Sequence, residues 1–214
     1  MSERTEDDQT HEFRTVSTKD LHVGKVVALR LDEVEMPDGS VAKREVVEHL
    51  GAVAIVAVDD EGRLVLIRQY RHPLGRRLWE LPAGLIDHAG EDPLEAAKRE
   101  LVEEVGLAAA QWSVLVDIAA SPGFTDEVIR VFLATGLSVV DREVLGEEEA
   151  DLVAKRFPLA EAVRMVLAGE ILNGPAVGGI LAARTVLDGG GETRPTDAPW
   201  RDRPTRMAKR GEDR

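Results

Sequence analysis

Three carboxylates stand out for their spacing. Within Leu81–Leu107, which reads LPAGLIDHAGEDPLEAAKRELVEEVGL, Glu100, Glu103 and Glu104 fall at i, i+3 and i+4. At about 100° per residue they share one flank of a helix. Like charges at that spacing repel one another and weaken an isolated helix. Taken alone, the triplet reads either as a solvated acidic face or as a store of hard oxygen ligands. The second reading has a definite chemistry. Magnesium takes oxygen ligands and keeps several waters. A bound divalent ion neutralises phosphate charge and lowers the pKa of a coordinated water, so an acidic site can receive a polyanion.

The segment that carries the triplet is marked as a helix by its ends. Asp92 is a good N-cap, Pro93 suits the first helical position, and Glu95 completes a capping-box spacing. Gly106 is the expected C-terminal stop. Leu94, Ala97, Leu101 and Val105 recur at helical spacing and predict a buried stripe on a different flank, with the small Ala96 leaving room beside the glutamates.

Composition limits what surrounds this helix. The 214 residues suit one sizeable domain with an appendage, and 43% hydrophobic content is ordinary for a globular chain. There are no cysteines, which excludes thiolate catalysis, zinc–thiolate sites and disulfides. The net charge of −13 argues against a general nucleic-acid binder. The opening MSERTEDDQTHEFR has no apolar core, and no apolar run approaches the roughly 20 residues of a membrane helix. The expectation is a cytoplasmic protein with no membrane partner.

In chain order, residues 1–12 read as a disordered tail. Val23–Asp32 and Val41–His49 read as strands joined by a turn at Asp38-Gly39, forming an N-terminal antiparallel unit over 13–49. Ala52–Val58 is a continuous apolar strand, with Leu64–Tyr70 returning as its hairpin partner. Further strands are expected over Ser113–Ile118, Val128–Ala134 and Leu152–Phe157, and helices over Ala160–Leu167 and Pro175–Leu187. From 189 to 214 the Gly-, Pro- and charge-rich sequence predicts an extended or disordered tail, with Trp200 as a residue that could dock. Trp79 and Trp112 read as packing residues. His11, His22, His49, His72 and His88 show no metal-ligand spacing and read as non-catalytic. The fold class expected is α+β, an α/β/α sandwich with a mixed sheet over 50–188 and an additional N-terminal antiparallel β unit.

Glu91 to Leu107 also reads E-x7-R-E-L-V-E-E-V-G-L, which resembles the Nudix box, G-x5-E-x7-R-E-U-x-E-E-x-G-U with U apolar. Glu91, Arg99, Glu100, Leu101, Glu103, Glu104, Gly106 and Leu107 fit. Gly84 departs by one, with six residues instead of five before Glu91, and Gly90 is available for the longer turn. REVVEH, IRQYRHP, LWELPAG and SPGFTDE, with Pro122 16 positions beyond Gly106, extend the resemblance to the ADP-ribose pyrophosphatase branch.

The resemblance implies specific roles. Glu100 and Glu104 would be the principal metal ligands, with Glu103 auxiliary and the Ala83 carbonyl supplying a further oxygen. The ions would be Mg²⁺, with Mn²⁺ as the substitute, two or three per site. Arg99 would orient the glutamates through charge-assisted hydrogen bonds. The general base would come from the acidic loop Gly146–Asp151, with Glu149 first and Glu148 next. Arg44, Glu45 and Arg71 resemble contacts to adenine, phosphate or ribose, and Glu127 a contact to the terminal ribose. The implied activity is hydrolysis of ADP-ribose or a close nucleoside diphosphate sugar by a homodimer whose N-terminal strands cross between subunits. GDP-mannose or another nucleotide sugar is the alternative substrate, and a non-catalytic ADP-ribose-sensing module the alternative role.

Overall fold

The computed structural model of the protein describes residues 13–87, 90–141 and 152–212. An antiparallel sheet comes first, β1 (Thr15–Val23), β2 (Val27–Glu35) and β3 (Val41–His49), in that order. The turn between β2 and β3 forms as its sequence demands. Asp38 Oδ1 accepts from the Ser40 N–H at 2.9 Å, and Gly39 takes a φ of +82°. Strand β1 was not expected. TVSTKDLHV is exposed at every residue but the last, so it carries no apolar alternation to betray it.

The main body holds β4 (Ala52–Ala57), β5 (Arg63–Arg71), β6 (Arg76–Glu80), β7 (Ala83–Leu85), α1 (Pro93–Val105), β8 (Leu107–Ala119), β9 (Val128–Val139), β10 (Val153–Pro158), α2 (Leu159–Leu167) and α3 (Gly174–Leu187). The expected β4–β5 hairpin is corrected. The turn exists, with Asp59 accepting from the Glu61 and Arg63 amides, but only Val58 and Leu64 pair across it. Beyond that bridge the strands part. Strand β4 joins the four-stranded mixed sheet β7-β4-β9-β8, and β5 is central in the antiparallel sheet β10-β5-β6. An apolar strand buried on both faces belongs inside a sheet with a neighbour on each side. β4 finds its neighbours in β9, parallel from Ala52–Ile129 to Ala57–Ala134, and in β7.

Helices cover both faces of the mixed sheet. Val53, Ile55, Ala57 and Phe132 pack with Ala96, Ala97 and Leu101 of α1. Ala54, Val56 and Val131 pack with Ala162 and Met165 of α2 and Ala176, Ile180 and Ala183 of α3. This is the α/β/α sandwich. Two glycines inside α3 would each cost about 1 kcal/mol relative to alanine. They are there because the helix lies close to its sheet. A Cβ on Gly179 would meet Leu81 Cδ1 at 2.8 Å and Val56 and Val131 methyls at 3.1 Å, and one on Gly178 would meet Ile118 Cδ1 at 2.6 Å.

The segment after 188, expected to be extended or disordered, runs extended and is packed on the body. Arg194 bridges to Val114 in β8 through both of its backbone groups, at 2.8 Å each. Arg130 donates to the Ala198 and Pro199 carbonyls and stacks over the Trp200 ring at 4.8 Å. Arg203 donates to the Glu91 carbonyl, and α4 (Arg206–Glu212) packs on β3. Composition rich in Gly and Pro allowed an extended path. Arginines, one tryptophan and a short final helix fasten that path to the body as a strap. Among the described residues no helix is long and apolar enough to cross a membrane.

Candidate active site

Local chemistry fixes α1 first. Asp92 accepts from the Leu94 N–H, Pro93 occupies the first turn, and Gly106 closes the helix at a φ of +64°. Glu95 bonds to Lys98. The buried side is broader than the predicted stripe. Ala96 and Glu104 are buried with Ala97 and Leu101, while Leu94 and Val105 are partly covered. The carboxylate flank is therefore turned inward against β7.

Two contacts explain that approach. Glu104, 6% exposed, accepts from the Ala83 N–H at 2.8 Å. Glu100 lies against the bare Cα of Gly84, where a Cβ would fall 2.5 Å from its Cγ and closer still to its carboxyl group. Only glycine leaves that cradle open. Arg99 ties the flank together, reaching Glu91 at 3.1 and 3.2 Å, Glu100 at 2.7 Å and Glu103 at 2.9 Å.

The electrostatics follow from burial. Burial pushes the Glu104 carboxyl up to about 8, with Glu100 and Glu80 adding to the rise and the Ala83 N–H and Arg71 opposing it. Burial also raises Glu100, against the pull of Arg99. These are carboxylates short of positive charge. Among the described residues no three carboxylates or imidazoles converge on one point as they stand. Arg99 engages Glu100 and Glu103, and a backbone amide engages Glu104. The donor chemistry nonetheless fits a hard divalent cation, which would supply the missing charge.

Glu100 and Glu104 form one wall of a cavity of about 790 Å³. Ala83, Gly84, Leu85 and Asp87 continue that wall. Gln69, Arg71, Glu80 and Asn173 also line the cavity, as do His49, Ala120, Glu127 and Ile129. Of the residues named from sequence, the cavity gathers Ala83, Glu100, Glu104, Arg71 and Glu127. Arg99 and Glu103 stand beside it. Arg44 and Glu45 are exposed on β3 and are not among its lining residues. Glu148 and Glu149 lie outside the described residues, as do His11 and His88.

Sequence reading passed over Glu80 and Asn173, and took His49 as non-catalytic. Glu80 is 2% exposed and receives two bonds from Arg71, at 2.9 and 2.8 Å, and one from Asn173 at 3.0 Å. Asn173 also caps α3 through the Ala176 N–H. A signal for Glu80 existed. In RRLWE it shares the inward face with Leu78, and a charge at an inward strand position calls for a partner.

Comparison with known proteins matches the NUDIX domain to residues 47–174, and a nucleoside diphosphate sugar hydrolase N-terminal domain to residues 13–47. The chain is 55% identical over 204 residues to ADP-ribose pyrophosphatase of Mycobacterium tuberculosis, covering 95% of this chain and 99% of that one. It is 39% identical over 162 residues to ADP-ribose pyrophosphatase of Bacillus subtilis, covering 76% and 87%. A crystal structure of ADP compounds hydrolase shares the fold with a TM-score of 0.73 at 24% identity, covering 84% of this chain and 96% of that one.

Proposed function

This chain belongs to the NUDIX domain family, and from that premise we propose that it hydrolyses the diphosphate bond of ADP-ribose to AMP and ribose 5-phosphate. The observation that carries the reading is the meeting of Glu100 and Glu104 with Arg71 and Glu127 around one cavity, whose 790 Å³ suits a dinucleotide-sized ligand.

Divalent ions, Mg²⁺ with Mn²⁺ as substitute and two or three per site, would neutralise the diphosphate and acidify the attacking water. Glu100 and Glu104 would hold them, with Glu103 and the Ala83 carbonyl assisting. Arg99 draws Glu100 and Glu103 toward each other, which offsets the repulsion between them. Arg71, steadied by Glu80, presents its guanidinium to the phosphates. Glu127 binds the terminal ribose. The water oxygen bonds to one phosphorus as the bridging P–O bond breaks, the other phosphate leaves with the bridging oxygen, and the water's proton passes to Glu149, or to Glu148 if that residue is the base.

The working unit in this reading is a homodimer in the cytoplasm. Val16 and Leu21 of β1 leave 48% and 46% of their surface exposed, apolar surface that a second copy would cover. Arg44 and Glu45, exposed on β3, would then serve the cavity of the other subunit.

Purified protein with Mg²⁺ and a panel of nucleoside diphosphate sugars tests this. AMP release from ADP-ribose above all other members is expected. Preferred release of GMP from GDP-mannose would move the substrate, and binding of ADP-ribose without turnover would make the chain a sensor.

A further inference from the structure

The C-terminal strap ends on a carboxylate that no water reaches. Glu48 is 0% exposed. It accepts from Arg30 Nη1, from Arg210 Nε at 2.5 Å and from Arg210 Nη2 at 3.3 Å, with Arg206 Nη1 3.8 Å away. Arg210 also forks onto both oxygens of Asp20 at 2.7 Å, and Arg30 onto both oxygens of Asp32 at 3.0 and 2.9 Å. Arginines and carboxylates thus close one network across β1, β2, β3 and α4. An ion so deeply buried is costly unless it is paired, so Glu48 is held where its guanidinium partners are.

The strand carries that constraint to the cavity. Successive side chains on a strand face opposite ways. Glu48 turns toward α4, and the next residue, His49, lines the cavity. The His49 N–H donates to Asp126 Oδ1 at 2.9 Å, and its Nδ1 lies 3.5 Å from Glu127 Oε1. The Val47 N–H donates to the Phe124 carbonyl at 2.7 Å, and the Asp126 N–H to the Val47 carbonyl at 3.2 Å. The end of β3 is therefore clamped between the arginines of the strap on one face and the loop bearing Glu127, which pairs along its edge.

We propose that Arg210 is a positioning residue for the sugar-binding end of the cavity. Through Glu48 it fixes the end of β3, and with it the Asp126–Glu127 loop that hydrogen-bonds there. The inference rests on the hydrolase reading for its substrate and on the geometry alone for its mechanics.

Full-length Arg210→Ala and Arg210→Lys separate the two. Hydrogen exchange needs no substrate. In Arg210→Ala the amides of His49 and Asp126 should exchange about tenfold faster, while those of α1 and β9 keep their protection. In kinetics with ADP-ribose, KM should rise about five- to tenfold with kcat within about twofold, and Arg210→Lys should recover part of the loss. Glu127→Gln added to Arg210→Ala should cost less than it does alone, because the two share one path. Unchanged exchange at His49 and Asp126 overturns the proposal whatever the substrate is. So does a lowered Tm with unaltered KM, which would make Arg210 a latch only, or strict additivity with Glu127→Gln. Absence of turnover by the unaltered protein would count against the hydrolase reading, and the exchange result would still decide the role of Arg210.

Discussion

Gly84→Ala asks whether the place of the Glu100 carboxylate matters more than its presence. Gly84 has no left-handed φ, so alanine is allowed by the backbone. The added methyl would sit 2.0 Å from the Glu100 carboxyl carbon and 2.1 Å from its Oε1. Ordinary contact begins near 3.4 Å, so the carboxylate must retreat by about 1.4 Å. A displacement of about 1 Å at a reacting centre costs on the order of 100-fold, which is about 2.7 kcal/mol on the barrier. The fold should lose far less. What yields is the end of a flexible side chain, and replacing glycine narrows the unfolded ensemble by about 0.4–1 kcal/mol in the protein's favour. A net change within about 1 kcal/mol moves Tm by no more than about 4 °C in a chain of this size. The assay is AMP release from ADP-ribose at saturating Mg²⁺, beside a thermal melt. Glu100→Gln should lose activity to a similar degree, and the double variant should be no worse than Glu100→Gln alone. If Gly84→Ala keeps more than half of kcat, the cradle does not set a catalytic ligand and the reasoning fails.

Other expectations follow from the same geometry. Gly179→Ala forces Leu81, Val56 and Val131 apart, so it should destabilise by about 1–3 kcal/mol despite the gain in helix propensity. A melt checks this, and kcat per folded molecule should not change. Glu149→Gln should lower kcat by on the order of 100- to 10,000-fold if it is the base; a small loss there with a large one at Glu148→Gln moves the role by one residue. Burial opposes ionisation of Glu48 and Asp117, but Arg210 and Arg30 around the first, and Arg130 and Arg194 around the second, hold both carboxyls below their ordinary range. A carboxyl with a lowered folded pKa contributes stability that is present above its unfolded value and lost as pH falls through the folded one. Tm should therefore drop as pH is taken below about 4, and Arg210→Ala should flatten that drop. An equally steep drop in the variant would remove Glu48 from the account.

What could be read from sequence was what is decided locally. The caps of α1, the Asp38-Gly39 turn and the apolar run of β4 each follow from residues within a few positions, and the box spacing named the carboxylates. Choices between partners were not legible. A strand, a turn and a strand imply a hairpin unless the first strand does better elsewhere, and β4 does better between β7 and β9. Strand β1 pairs through its backbone while showing water an unpatterned face. The buried network was half visible. Arg30 and Asp32 alternate on the inward face of β2, which marks an unmet charge requirement, but nothing nearby says that Arg210 meets it. Glu80 and Asn173 meet across 93 positions for the same reason.

The pairing of Asp20 with Arg210 spans 190 residues, and that separation bears on how the molecule is made. Translation delivers roughly 5–20 residues each second, so Arg210 emerges on the order of 10–40 s after Asp20. The β1-β2-β3 sheet is built from neighbouring segments and can form early. Until the ribosome has passed Arg210, Glu48 has Arg30 as its partner and lacks the arginines of α4. The first sheet to be synthesised is thus the last to be fastened, and a nascent chain stalled within the strap would carry a nearly complete sandwich with one wall of its cavity still loose.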